Sequence, residues 1–191
     1  MLQRSNEIRA SILAEPESLG IDARLERRCL IAAEGLTNEF RRSVPPFSLD
    51  PLLKHFEIAR VTERPLDRDA CLKQSSEGLY IEVNSLYSKA IRRVGVAHEI
   101  GHLIVNQCLP SGHSHWGHHD RRLENLCDRL AVVLLAPRWA IRRFLERGHK
   151  RVTQSFRKSI PKEAARLFGL PVEMISLRLA QVMGSRHIPL N

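Results

Sequence analysis

The sequence predicts an α+β fold, mostly helical, with a small antiparallel or mixed sheet of about three strands beside one unusually apolar helix. Three observations carry this expectation. Apolar residues recur at helical spacing through much of the 191-residue chain. Strand-like stretches, by contrast, are confined to one window between Ile58 and Asn84. Soon after that window, Arg92 to Gln107 (RRVGVAHEIGHLIVNQ) would be apolar around nearly its whole circumference as a helix. Set into that apolar wall is the pentapeptide His98-Glu99-Ile100-Gly101-His102, an H-E-x-x-H pattern.

The chain divides into an N-terminal helical segment, residues 1–44, and a domain of residues 45–191 that closes on a helical pair. Residues 2–15 carry a narrow apolar stripe of Ile8, Ile12 and Leu13, and Pro16 ends it. From Asp22, which can serve as an N-cap, Leu25, Cys29, Ala32, Leu36 and Phe40 recur at helical spacing and predict a core-facing helix of about five turns. Ser43 to Pro46 is a break, after which Ser48 is expected to cap a short helix through Leu52, Leu53 and Phe56. IARVTE and ACLK then read as short strands, and Ser75-Ser76-Glu77-Gly78 turns the chain into LYIEVN. There Leu79, Ile81 and Val83 alternate with polar neighbours, as in a strand buried on one face.

On the following helix, His98 and His102 fall one turn apart on the same face, so both imidazoles can reach one metal ion with Glu99 at their edge. Zinc takes neutral nitrogen donors near ~2.0 Å and keeps a fourth position open for water, whose proton a neighbouring glutamate can accept. The apolar surroundings sharpen the point, because polar groups entering a buried wall need partners and a metal supplies one. Gly101 costs a helix about 1 kcal/mol relative to alanine. That cost makes sense if something approaches the backbone there, or if the position merely accommodates packing.

A third ligand is sought in RRLENLCDRLAVVLLAP, where Glu124 opens a strongly apolar helix and Asp128 follows it by one turn. Glu124 could bind the metal while Asp128 hydrogen-bonds the second nitrogen of a ligating histidine. The alternative is that Glu124 complements the helix dipole and Asp128 pairs with Arg121 or Arg129 on a wet face. Between the two helices, CLPSGHSHWGHHDRR reads as a loop; its His113, His115, His118 and His119 with Trp116 could form a second metal site, a transition-state donor or a solvated rim. Tyr80 and Tyr87 are further candidate donors to a developing oxyanion. After Pro137 come a helix in PRWAIRRFLERG, a break at Gly148, and two helices from Pro161 to Met183 with Gly169 between them.

With both blocks in view, VAHEIGHLIVN and ENLCDRLAVVLLAP together resemble the ImmA/IrrE-type metallopeptidases. That family shares an A-H-E-[LI]-G-H-L-L helix followed by E-x-x-[AC]-[ND]-x-x-A-x-x-L-L-x-P. Its elements are matched by Ala97, His98, Glu99, Ile100, Gly101, His102 and Leu103, then Glu124, Cys127, Asp128, Ala131, Leu134, Leu135 and Pro137. The likeness covers roughly residues 45–183, with GLYIEVNS similar to the family's edge strand and KEAARLFGLPVEMISLRL to its closing helical pair. It implies a minimal zincin-like fold, one zinc ion per chain held by His98, His102 and Glu124, and Glu99 as the catalytic base. It also implies thermolysin-like cleavage of a protein substrate, often a helix-turn-helix repressor. An edge strand beside the active-site helix can bind substrate as an added strand in such peptidases, and LYIEVN is the expected one.

Composition sets the remaining bounds. The longest apolar run, LAVVLLA, is far short of the ~20 residues a membrane span needs, and MLQRSNEIRAS lacks a signal-peptide core. Cys29, Cys71, Cys108 and Cys127 form no C-x-x-C pair, so reduced thiols and a cytoplasmic location are expected. The net charge of +9 comes mainly from arginine pairs such as Arg27-Arg28, Arg41-Arg42, Arg92-Arg93, Arg121-Arg122 and Arg142-Arg143, which read as solvated helix faces. Other uses are attraction to an acidic substrate segment or to nucleic acid. Two other functions stand beside peptide cleavage: a metal-binding regulatory module without hydrolysis, and a DNA-binding regulator. Ala165, Gly169 and Ile175 have helix-turn-helix spacing, but that second helix would present Val172, Met174 and Leu177 to bases and put Arg178 at a core position, so direct nucleic-acid binding is not expected.

Overall fold

The computed structural model describes residues 22–38, 43–109, 121–149 and 154–184. The expected helix at residues 2–15, Phe40 and the stretch holding His113, His115, Trp116, His118 and His119 lie outside them. The first described helix, α1 (Ala23–Leu36), is started by Asp22, whose carboxylate accepts the Arg24 N–H at 2.9 Å. It buries Cys29 and Ala33 together with Glu26, and it ends at Thr37, short of the five turns expected. In α2 (Asp50–His55) the N-cap position falls to Leu49 and not to Ser48. Ser48 still serves the helix start, accepting the Asp50 N–H at 3.1 Å and donating to the Asp50 carboxylate at 2.6 Å.

Three strands follow, β1 (Ile58–Arg64), β2 (Ala70–Ser75) and β3 (Gly78–Asn84), in the spatial order β1-β3-β2. β1 runs parallel to β3, and β2 pairs antiparallel with β3 through a tight hairpin. The sheet is therefore mixed, and LYIEVN is its central strand, not its edge. The polar residues that suggested an exposed face are buried there because both neighbouring strands supply partners. Glu82 meets Arg64 at 3.3 Å and Lys73 at 2.7 Å, and the hydrogen bond from Lys73 holds its carboxyl below the usual range. Asn84 donates to the carbonyls of Leu66 and Arg68 at 2.7 and 3.1 Å, which pins the connection between β1 and β2.

Ser88 then caps α3 (Lys89–Cys108), a helix of 20 residues that spans about 30 Å. Its buried residues run from Val94 to Val105 and occupy most of its circumference, because the sheet covers one side and other helices the rest. Its principal neighbour is α4 (Arg121–Leu135), whose Leu123, Leu126, Leu130 and Leu134 face inward. Gly101 explains how close the two come. A Cβ there would lie 3.1 Å from both the Cα and the carbonyl oxygen of Cys127, backbone atoms that cannot easily yield. What approaches the backbone at Gly101 is the backbone of α4 itself, so the position accommodates helix packing.

The chain continues through α5 (Arg138–His149), α6 (Gln154–Phe168) and α7 (Val172–Gly184). Gly148 lies within the last turn of α5 and does not break it, and Pro161 lies inside α6 and does not begin it. Gly169 takes the positive φ of +63° that the turn into α7 requires. On α7, Arg178 does occupy a core position beside Met174, Ile175, Leu179 and Val182. It donates to the Ala136 carbonyl at 3.0 Å and pairs with Glu34 of α1 at 2.5 Å. Glu26 of α1 likewise pairs with Arg129 of α4 at 2.5 Å. With Cys29 and Ala33 in the same core as α3 and α4, α1 packs directly on the helices that carry the polar pentapeptide and Glu124. Among the described residues, no single helix is long and apolar enough to cross a membrane.

Candidate metal centre

The α3–α4 crossing at Gly101 and Cys127 builds the site. Glu124 precedes Cys127 by three residues and Asp128 follows it by one, so both carboxylates flank the point where α4 touches α3. On α3, His98 precedes Gly101 by three and His102 follows it by one. The same spacing on the two helices brings all four side chains together on either side of the His98 ring.

The distances bear this out. His98 Nε2 lies 3.1 Å from Glu124 Oε2 and 3.2 Å from His102 Nε2, and His102 Nε2 is 3.6 Å from Glu124 Oε1. One donor atom from each of His98, His102 and Glu124 falls within 4.8 Å of the other two. On the far side of its ring, His98 Nδ1 meets Asp128 Oδ1 at 2.8 Å. If Nδ1 carries the proton of a neutral His98, Nε2 presents a lone pair beside a carboxylate oxygen and a second imidazole, an arrangement that a positive charge between them stabilises. A proton can serve: burial opposes the imidazolium, but hydrogen bonds to Asp128 and Glu124 outweigh it and push His98 up to about 10. A divalent ion serves equally, and two imidazole nitrogens with one carboxylate are a donor set suited to zinc. Glu124 remains 42% exposed, which leaves the centre open to solvent on that side.

Glu99 points instead toward the sheet and is only 9% exposed. Desolvation raises its carboxyl above the ordinary value, opposed by the charge of His98 and by a hydrogen bond from the Leu72 backbone. That bond, Leu72 N–H to Glu99 Oε2 at 3.0 Å, is the first contact of the site that the sequence did not indicate. The second lies one helical turn earlier, where Gly95 lets β2 approach so closely that a Cβ would sit 3.0 Å from the Ala70 side chain. ACLK was legible as a strand, but nothing local in it says which helix it leans on.

Other sequence candidates are not brought here. Tyr80 shares its strand face with Glu82, opposite Ile81, and lies under the Arg60 guanidinium at 4.9 Å. Tyr87 precedes α3 and stands 11 residues before His98, roughly 16 Å along the helix axis. The sequence model of the IrrE N-terminal-like domain matches this chain over residues 57–180, a stretch that holds all five residues of the centre. A comparison with curated proteins finds no match.

Proposed function

The chain belongs to the family of IrrE N-terminal-like peptidase domains, and from that premise we propose that it is a zinc-dependent endopeptidase that cleaves a helix-turn-helix transcriptional repressor in the cytoplasm. The observation that carries the reading is the convergence of His98, His102 and Glu124 within 4.8 Å, with Glu99 next in sequence to the first of them. In this proposal those three residues hold one zinc ion per chain, and Asp128 keeps the His98 ring in the tautomer that offers Nε2. Zinc bound there would supply Lewis acidity, acidifying water and polarising the scissile carbonyl. Glu99 accepts the proton of the attacking water and returns it to the departing amine.

The substrate would lie along the open edge of β2, the strand beside Glu99, since β3 has both of its edges occupied. Direct binding of nucleic acid is not part of the proposal. Elemental analysis of tag-free protein is the first test, with wild type beside His98→Ala and Glu124→Ala. About one zinc per chain, lost in both variants, is expected. Incubation with helix-turn-helix repressors should then give a cut at one defined bond. Glu99→Gln should retain the metal and lose cleavage by several orders of magnitude. Retained turnover removes Glu99 from the role of base, and a metal-loaded protein that cuts no repressor at any defined bond leaves a binding module in place of an enzyme.

A further inference from the structure

The hydrogen bond that Glu99 accepts comes from an unusual donor. In an antiparallel pair, residues alternately turn their amide and carbonyl toward and away from the partner strand. The Asn84 N–H donates to the Asp69 carbonyl at 2.8 Å, and Ser75 pairs with Gly78 across the hairpin. Odd-numbered residues of β2 therefore face β3, while Ala70, Leu72 and Gln74 turn their backbone groups to the outer edge of the sheet, which no other described strand pairs with. Such an edge is where an extended peptide adds itself as a strand. Leu72 N–H stands near the middle of that row, and it is already engaged by a carboxylate.

The engagement is set by packing and not by one side-chain torsion. Gly95 and Glu99 are four residues apart on α3, and Ala70 and Leu72 two apart on β2. The helix advances about 6 Å over its four residues and the strand about 6.6 Å over its two. Once Gly95 admits Ala70 against the helix, Glu99 is necessarily level with Leu72. A peptide carbonyl pairing in register with β2 needs the same single N–H, so it has to displace the Glu99 carboxylate to form its bond.

We propose that the Leu72 amide is a shared donor, holding Glu99 in the free protein and passing to a substrate carbonyl when a peptide strand adds to β2. Leu72 is thus a positioning residue, and strand pairing itself releases the base beside the bond to be cut. The handover rests on the peptidase reading for its ligand; the holding bond does not.

Backbone amide exchange on the isotopically labelled full chain separates the two. Glu99→Ala should speed exchange at Leu72 by about ten- to a hundredfold and leave Cys71 and Lys73, which bond to β3, unchanged. Glu99→Gln, whose amide oxygen can still accept, should restore most of the protection. A peptide hydroxamate, added to zinc-loaded Glu99→Ala, should then protect Leu72 again by supplying its own carbonyl. Unchanged exchange at Leu72 in Glu99→Ala overturns the holding bond while leaving the peptidase reading intact. A hydroxamate that binds without protecting Leu72 overturns the handover. Failure of zinc-loaded protein to bind it at all counts against the peptidase reading, and the handover falls with it.

Discussion

The Asp128 carboxylate lies against the ring nitrogen of His98 that points away from the centre, 2.8 Å off, and so acts on a metal only through the imidazole. Asp128→Ala should therefore weaken zinc affinity by about ten- to a hundredfold without removing a ligand, as read by competition with a chromogenic chelator. An unchanged affinity would return Asp128 to a purely structural place beside α3. Gly101 carries a different expectation. In a helix alanine normally outranks glycine, yet here the added Cβ meets two backbone atoms of Cys127 at 3.1 Å. Gly101→Ala should cost about 1–3 kcal/mol in denaturant unfolding, since the close-packed crossing of two helices has to open. A gain in stability would show that α4 can yield there. His98, His102, Glu124 and Asp128 could be read from the sequence because helical spacing alone puts each pair on one face. The partner of Glu99 could not, because it is a backbone N–H, and every non-proline residue has one.

Among the elements, α1 and β3 show how strand and helix identity differ from strand and helix placement. Both were legible from periodicity. The alternation in LYIEVN cannot say whether one or two strands flank it, and the cations that make Glu82 tolerable inside come from β1 and β2, up to 18 residues away along the chain. Periodicity likewise assigns no partners to the acids of α1. Glu34 in fact serves two partners at once, accepting the Arg138 N–H at the start of α5 at 3.2 Å and pairing with the buried Arg178 of α7 at 2.5 Å. Glu34→Ala would leave that guanidinium inside the protein with only the Ala136 carbonyl as a named acceptor. The cost should be about 2–4 kcal/mol in urea unfolding, the low end of the range for an orphaned buried charge because Glu34 is itself one-third exposed. Arg178→Met should cost less, since Glu34 keeps solvent and the Arg138 N–H. The reverse order would mean that Glu34, not Arg178, bears the burial.

At the scale of the whole molecule, the predicted class, mostly helical with a small mixed sheet, matches what the chain builds, but the arginines do not all behave as solvated faces. Arg92 pairs with Glu63 at 2.9 Å and Arg93 donates to the Phe47 carbonyl at 2.9 Å, so part of the positive charge ties elements together. The candidate centre is also a tie. His98 and His102 belong to α3 and Glu124 to α4, so an ion held by all three links the two helices that most of the core packs around. An ion that binds the folded chain and not the unfolded one stabilises it by about 2.7 kcal/mol when its free concentration is a hundred times its Kd. For a chain of this size each kcal/mol moves Tm by about 2–4 °C, so zinc at that level should raise Tm by roughly 5–11 °C over chelator-treated protein. Glu99→Gln, which keeps every proposed ligand, should show the whole of that shift. Glu124→Ala, which removes the only ligand from α4, should lose most of it even if zinc still binds the two histidines. A variant without Glu124 that gains as much as wild type would show that the link between α3 and α4 does not run through the metal.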